Sequence, residues 1–534
     1  MSEQMTAYSG EVFTATEQNA SVVVVRGRFI EAVGDEALLD SLPAGTPVVK
    51  IKGLLVPGFV DAHTHVTHTA TGGIGAADCR VPHVRSIADI IATLRKHSEG
   101  TEGTVLGYGN LFYDRKLSDR RLPTRDDLDQ VSTSRQVILR CGGHISILNT
   151  VALERIEDRA LQGHTGTATV FKDAKGRATG AVAEADAELD LPRPGEAAIR
   201  EEMSRILQDD YLRHGVTTVG EICESRDTLE ALRDAVQSKR STPRVRGYLL
   251  VSPALPLKEA VFAADELRDA DNRFSLDGIK VFVDGGYSSR TAAVSSPYLD
   301  TEPEHAHGSL ALTAEELGRI LREAAKAEVS VAVHVNGDRA QKLFLESLPE
   351  KPNPRSRLRA EHAGNWVYDW KTVNGLIERG VTLVVNPGFF HSYIGDEFPR
   401  ILGDVARKGR MPIRSLLQQG AHLAAGADAG LGAEISQSWP AAHLWNLCSR
   451  PTRSGDSAEP EETVSVEDAL KVLSIGSARA LGIDHQVGSI EAGKYADLVE
   501  LKTDPRKISP ESPREIQARR VVLQGDVVYG DGDQ

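Results

Sequence analysis

The sequence predicts an α/β protein built on a TIM-type (β/α)8 barrel, and three observations lead there. Eight β-branched apolar runs alternate with amphipathic helical stretches between about residues 53 and 428, the pattern of parallel strands joined by crossover helices. Residues able to carry chemistry cluster at or near the carboxyl ends of several of those runs, where barrel sites are assembled. A length of 534 residues suits one barrel with insertions plus a smaller appended domain.

The opening "ASVVVVRGRFIEAVGDEALLDSL" reads as two short strands turning at Arg26-Gly27, then a short polar helix or loop. "GSIEAGKYADLVEL" and "ARRVVLQGDVVYGDG" near the other end again show β-branched runs broken by Gly-Lys and Gly-Asp. The two ends are expected to meet as one small β-sandwich, residues 1–57 with 484–534, around a barrel of 58–483.

The barrel strands are predicted at 53–63, 215–222, 244–251, 278–284, 329–335, 358–363, 381–387 and 421–428. Among the helices, "TAEELGRILREAAKA" starts with Thr313 as cap and Glu316 three residues on, and "KTVNGLIERG" stops at Gly380. About 150 residues separate the first two strands, far beyond an ordinary connection, so an inserted segment is expected at about 70–205. It holds a strand signal, "QVILRCGGHISILN", and a Gly-rich turn region. An insertion in a βα loop lies on the catalytic face and is placed to cover a substrate. The polar tract 449–465 reads as a surface loop.

Composition narrows the function. Sixty-two Lys and Arg against 76 Asp and Glu leave a net charge of −14, a field that repels phosphate backbones and anionic membrane surfaces, so neither nucleic acid nor membrane is expected as a partner. The first twenty residues lack a basic start followed by an apolar core, and no apolar run is long enough to span a bilayer, which predicts a cytoplasmic protein. Cys79, Cys141, Cys223 and Cys448 lie far apart and make no C-x-x-C pattern, the usage of reduced, buried thiols.

His63 and His65, two apart on a predicted strand, face one side and are able to meet one ion. A lone H-x-H is a weak signal, because strand ends also carry histidines for other reasons. Its weight comes from Lys280, His334, His362 and Asp428, each on a different predicted strand at or near its carboxyl half. Imidazoles with a carboxylate suit a divalent first-row metal, zinc first, and a hydrolytic site leaves a position open for water.

With these residues in place, the chain resembles the amidohydrolase superfamily, and within it the long amidohydrolases that include N-substituted formamide deformylases. The matching stretches are "VPGFVDAHTH", "GGHISILNTVALE", "RHGVTTVGE", "GIKVFVDGGYSSRTA", "VHVNGDRA", "RAEHAG", "GADAG" and "VEDALKVLSIGSARALGIDHQVGSIEAGKYADLVEL". The resemblance implies that His63 and His65 bind one metal with Asp428, that His334 and His362 bind a second, and that Lys280 bridges them as an N6-carboxylysine. Burial beside cations favours the neutral amine that captures carbon dioxide. The alternative is an unmodified ammonium in a one-metal site, paired with Asp284 or Glu221. Resembling sequences continue the Asp428 motif as Ser-Asp-x-Pro, whereas this chain has Ala427 before the aspartate and Ala-Gly-Leu-Gly after it. That loop borders the pocket, so the difference bears on substrate identity more than on hydrolysis.

The chemistry implied is attack of metal-activated hydroxide on an amide-like carbonyl, with Asp428 as base and then acid, or as a ligand alone. The resemblance places His144 near the substrate, as a holder of the carbonyl oxygen or as a loop histidine bonded to backbone. Tyr287, Ser288, Ser289 and Arg290 follow the Lys280 strand and are candidates for the pocket lining. Phe389, Phe390, His391 and Tyr393 offer an apolar wall for a hydrophobic group, or an anchor for their own loop. Asp61, Asn336 and Asp338 are expected to support rather than react, and His68 to lie on a loop or to support the site from behind. The expected partner is a small-molecule substrate, and a homo-oligomer is compatible with the sequence. Cleavage of an amide, N-formyl or N-acyl amine, or carbamate stands first. A cyclic-amide hydrolase or deaminase follows, and a barrel without catalysis, acting as a binding scaffold, is the answer of another class.

Overall fold

The computed structural model describes residues 4–530 apart from 143–144, 157–168, 184, 186–188, 190, 193, 253, 268–272, 352 and 510–515. Its centre is one eight-stranded parallel sheet curled into an almost closed barrel: Phe59–Thr64, Val216–Cys223, Arg244–Leu250, Phe274–Phe282, Ser330–His334, Leu358–Glu361, Thr382–Val385 and Leu423–Ala425, each paired with the next. All eight predicted runs are strands. The ladder ends at the first and eighth strands, which are joined instead by the Asp428 N–H donating to the His63 carbonyl (2.7 Å). Asp61 reinforces that seam, its Oδ1 accepting from the backbone N–H groups of His63 (3.1 Å) and Ala427 (2.9 Å).

The predicted first strand is in fact two. Leu54–Pro57 pairs antiparallel with Leu498–Leu501, and Phe59–Thr64 enters the barrel. Gly58 is the break between them: a Cβ there would stand 2.1 Å from the Thr217 hydroxyl, so only glycine lets the chain cross from one sheet to the other. Crossover helices carry the expected signals, Ala314–Lys326 opening with a full Thr313/Glu316 capping box and Trp370–Glu378 followed by Gly380 at φ +72°. Ala478 and Leu481 of the short helix Ser477–Leu481 share a buried cluster with the strand residues Val60, Ile222, Tyr248 and Ala332.

The chain ends form two four-stranded sheets. One holds Met5–Ser9, Val22–Arg26, Phe29–Gly34 and Val48–Lys50; the other holds Leu54–Pro57, Leu498–Leu501, Ala518–Leu523 and Asp526–Gly530. Tyr8, Val23, Val25 and Ile30 of the first share a buried cluster with Leu55, Leu498 and Val522 of the second, which is what the VVVV run is for.

Between the first and second barrel strands lies a six-stranded sheet, in spatial order Thr169–Lys172, Ala178–Ala183, Ile145–Leu148, Val137–Cys141, Val105–Gly109 and Ala77–Asp78. It has cores of its own, one around Ile90, Leu94, Leu139 and Ile147 and another around Ile138, Leu148, Leu153 and Val182. The helices flanking it, Val66–Gly73 and Glu196–Ile206, bury Val66, Ala70, Met203 and Ile206 in the core of the barrel shell instead.

The tract after residue 449 is not simply a surface loop. Arg450 is buried, donating to the carbonyls of Arg410, Met411 and Ala458 with its guanidinium over the Phe390 ring. All four cysteines are free, and Cys79, Cys141 and Cys223 are buried. Among the described residues no helix is long and apolar enough to cross a membrane.

Candidate metal centre

Six of the predicted residues, His63, His65, Lys280, His334, His362 and Asp428, line one cavity of about 150 Å³ at the mouth of the barrel. Three of the donors converge. His63 Nε2 and His65 Nε2 are 3.3 Å apart, and Asp428 Oδ1 stands 3.4 Å from the first and 3.1 Å from the second. A tetrahedral ion about 2.0–2.1 Å from each ligand atom spaces neighbouring ligands about 3.3–3.4 Å apart, so this triangle fits a zinc-type cation. His63, His362 and Asp428 each offer a ligand atom within 4.8 Å of the others.

The protonation states fit as well. Burial pushes His65 below its ordinary value and His362 down to about 3, leaving lone pairs for a cation. Burial and Lys280 push His63 down, but Glu361 and Asp428 push it up further, so the field of two carboxylates calls for positive charge at this spot. Burial opposes ionisation of Asp428, yet the imidazoles of His63, His65 and His362 hold its carboxyl well below the usual range.

Two residues that hold the site were not singled out by the sequence. Glu361 accepts a hydrogen bond from His63 Nδ1, which leaves Nε2 free for a cation, and Arg359 grips the same carboxylate at 2.7 and 3.0 Å. Both are fully buried, and Arg359 also stacks over Tyr248 inside the barrel. An Arg-x-Glu pair within an otherwise apolar strand was the available signal. His362 is oriented in a similar way, its Nδ1 donating to Asn386 Oδ1 at 2.7 Å.

The remaining donors are arranged differently. His334 Nε2 donates to the Gly285 carbonyl (3.1 Å), and its ring packs against Phe282 and His362. Lys280 is fully buried, and its Nζ makes no hydrogen bond among the described residues. Burial pushes its ammonium down to about 8. Neither expected counter-ion takes it up: Glu221 accepts from Val66 N, Thr67 N and Thr67 Oγ1, all at 2.8 Å, and Asp284 accepts from the backbone of Ala293, Asn336 and Gly337.

The expected substrate wall is placed elsewhere. Tyr287 is core, its hydroxyl donating to the Asn336 carbonyl (2.7 Å) and its ring packed on Phe398. Arg290 is bound to Asp300 through two contacts of 2.9 and 2.7 Å. Phe389 packs on Tyr393, Phe390 lies beneath Arg450, and His391 faces Trp445, so these three anchor their own loop. The cavity is lined instead by Phe282, Leu111, Leu431, Glu224, Gln437 and His68. His68 is on a helix rather than a loop and meets Arg140 of the inserted sheet at 2.6 Å. His144 lies outside the described residues; Gly142, two residues earlier, lines the cavity.

The family model described as "Amidohydrolase family" matches residues 52–529. The chain belongs to the amidohydrolase family. It is therefore a hydrolase acting on carbon–nitrogen bonds. This amidohydrolase is similar to N-substituted formamide deformylase of Arthrobacter pascens, 26% identical over 531 residues that cover 96% of this chain and 95% of the relative. It is also similar to the putative amidohydrolase YtcJ of Bacillus subtilis, 24% identical over 539 residues, 98% of each chain. A crystal structure of an uncharacterized metal-dependent hydrolase from Pyrococcus horikoshii shares the fold, with a TM-score of 0.72 at 22% identity over 95% of this chain and 99% of that one.

Proposed function

We propose that this amidohydrolase cleaves a non-peptide carbon–nitrogen bond in a small, partly hydrophobic molecule: an N-formyl or N-acyl amine, another amide, or a carbamate. The observation that carries this reading is the triangle of His63, His65 and Asp428 donor atoms, 3.1–3.4 Å on a side, at the mouth of the barrel. The site takes one or two divalent ions, zinc first; such an ion polarises the carbonyl and brings the pKa of water from about 15.7 toward 7.

His63 and His65 would hold one ion through Nε2 beside Asp428, and His362 and His334 would hold a second where two are bound. Lys280 would serve between them as a carbamate: its neutral amine would attack carbon dioxide, forming a C–N bond as one C=O π pair moves onto oxygen, and one proton would leave to solvent. Support for the carbamate is the buried Nζ without a hydrogen-bond partner among the described residues. Asp428 is ionised before reaction, takes the proton of the attacking water, and returns it to the departing nitrogen, one carboxylate serving as base and then acid. Leu111, Phe282 and Leu431 supply the apolar wall, and the inserted sheet covers the substrate by contributing Leu111 and Gly142. His144 steadies the carbonyl oxygen.

The test is turnover of a panel of N-formyl amines, N-acyl amines, carbamates, cyclic amides and aminopurines by protein stripped with chelator and then reloaded with zinc. Release of a free amine from the acyclic amides by reloaded protein only is the expected result. Ammonia from the aminopurines moves the reading to deamination. No turnover of any compound in either state leaves the scaffold reading in its place.

A further inference from the structure

Nine residues beyond Asp428, one side chain holds both peptide groups that flank its Cα. Gln437 Nε2 donates to the Ala427 carbonyl and to the Asp428 carbonyl, each at 2.9 Å. Asp428 sits at φ +49°, a left-handed conformation that a residue other than glycine keeps only when its surroundings impose it. Pinning the two carbonyls on either side of one Cα fixes the relation of the two peptide planes, and so fixes φ and ψ there. Those angles decide where the Asp428 carboxylate points.

We infer that Gln437 is the positioning residue for Asp428, an inference that rests on the proposed role of Asp428 in the reaction. Gln437 is itself immobilised. Its Oε1 accepts from the Glu434 N–H (3.1 Å), its backbone N–H donates to the Glu434 carbonyl (3.0 Å), and its own carbonyl accepts from His443 Nε2 (2.7 Å). The orientation of the side-chain amide follows: its oxygen meets a donor and its nitrogen meets two acceptors. Both N–H bonds of Nε2 are thereby committed to backbone. Gln437 lines the cavity, but with those donors engaged it acts through Asp428 and not on the substrate.

The loop needs such a device. Gly430 and Gly432, the latter at φ +83°, follow Asp428 closely. Two glycines restrain the backbone little. What remains on the Asp428 backbone apart from Gln437 is the 2.7 Å bond from its N–H to the His63 carbonyl and a 3.1 Å bond from the Gly430 N–H to its carbonyl.

Gln437→Met keeps the length and removes both donors. Its crystal structure is expected to show the Asp428 carboxylate displaced from His63 and His65. Steady-state kinetics are expected to show kcat lowered by about 10- to 100-fold, the effect of a misplaced reacting group, with KM nearly unchanged. A purely structural role would multiply with the loss of Asp428; action through Asp428 makes the double variant Gln437→Met/Asp428→Asn no slower than Asp428→Asn alone. Wild-type kcat in Gln437→Met with the carboxylate in place would overturn the inference, as would a double variant whose loss is the product of the two single losses. If Gln437→Met does not fold, Gln437→Glu, of the same shape but with no amide donor, is carried through the same measurements. Should the wild type turn over no substrate, the hydrolytic reading fails, while the position of the carboxylate still decides the clamp.

Discussion

The two halves of the candidate metal centre differ in how firmly their side chains are held. On one side His63, His65 and Asp428 hold donor atoms at ligand spacing, and two of the three are fixed from behind: His63 by Glu361 and Arg359, Asp428 by its backbone bonds to His63 and Gln437. On the other side His334 is bonded to the Gly285 carbonyl and the Lys280 amine has no hydrogen bond among the described residues. Buried polar groups are ordinarily satisfied, so the buried Lys280 amine, without a hydrogen bond among the described residues, is the observation on which the proposed carbamate rests. The difference teaches that the first half is held largely by hydrogen bonds of the polypeptide itself, while the proposed second half turns on the state of Lys280.

The largest expected effect breaks the firmly held half. Asp428→Asn keeps the shape and removes the basic oxygen, and kcat/KM is expected to fall by about 10³-fold or more while zinc content, measured by elemental analysis, changes little. Normal rates in that variant refute Asp428 as the base. Lys280→Ala addresses the second half: zinc is expected to drop from two ions per chain to one, with carbon dioxide no longer affecting reconstitution. Two ions retained in Lys280→Ala would show that the lysine is no bridge.

How much of this was legible in the sequence follows from where each interaction comes from. The eight strands could be read because β-branched runs and Gly or Pro punctuation are local, and the gathering of six candidate donors at one cavity because each lies at or near the end of a barrel strand. Glu361 escaped because its role depends on His63, 298 positions away in the chain, and becomes visible only when the barrel brings the first and sixth strands together. Phe282 was within reach: two residues after Lys280 on one strand, it has to share the face of the lysine. Tyr287, Arg290, Phe389, Phe390 and His391 follow strand ends in sequence, but an aromatic or basic residue on a loop turns toward cavity or core according to neighbours that sequence does not supply. Asp300, Trp445 and Arg450 are those neighbours here.

A smaller effect sharpens the comparison from behind the first half. Glu361→Gln removes the charge that Arg359 and His63 share in a fully buried setting. Burial opposes ionisation of Glu361, but those two groups hold its carboxyl well below the usual range, so the carboxylate is anionic throughout the working pH. Neutralising it leaves the Arg359 guanidinium buried without its counter-ion, a class of change that costs up to about 3–5 kcal/mol. Loss of the carboxylate partner of a metal-binding histidine weakens metal binding by about 10- to 100-fold. Denaturant unfolding checks the first figure and zinc competition the second. Unaltered zinc affinity would mean that Glu361 serves only the barrel interior.

The smallest expected effect lies outside both halves, at Tyr287. Removing its hydroxyl deletes one buried hydrogen bond, worth about 0.5–1.5 kcal/mol, and the cost should fall at the low end because the Asn336 carbonyl keeps a second donor, Gln341 Nε2, at 3.0 Å. The ring stays packed against Phe398 and Trp366, so Tyr287→Phe should unfold at nearly the wild-type denaturant concentration. Its KM should be unchanged for every substrate in the panel, because a hydroxyl committed to the backbone that carries His334 into its helix has no bond to offer a ligand. A KM raised tenfold would place Tyr287 at the substrate after all. It would also mean that the second half rearranges when occupied, since Asn336 lies two residues from His334 and its side-chain amide is 3.0 Å from the His334 ring nitrogen.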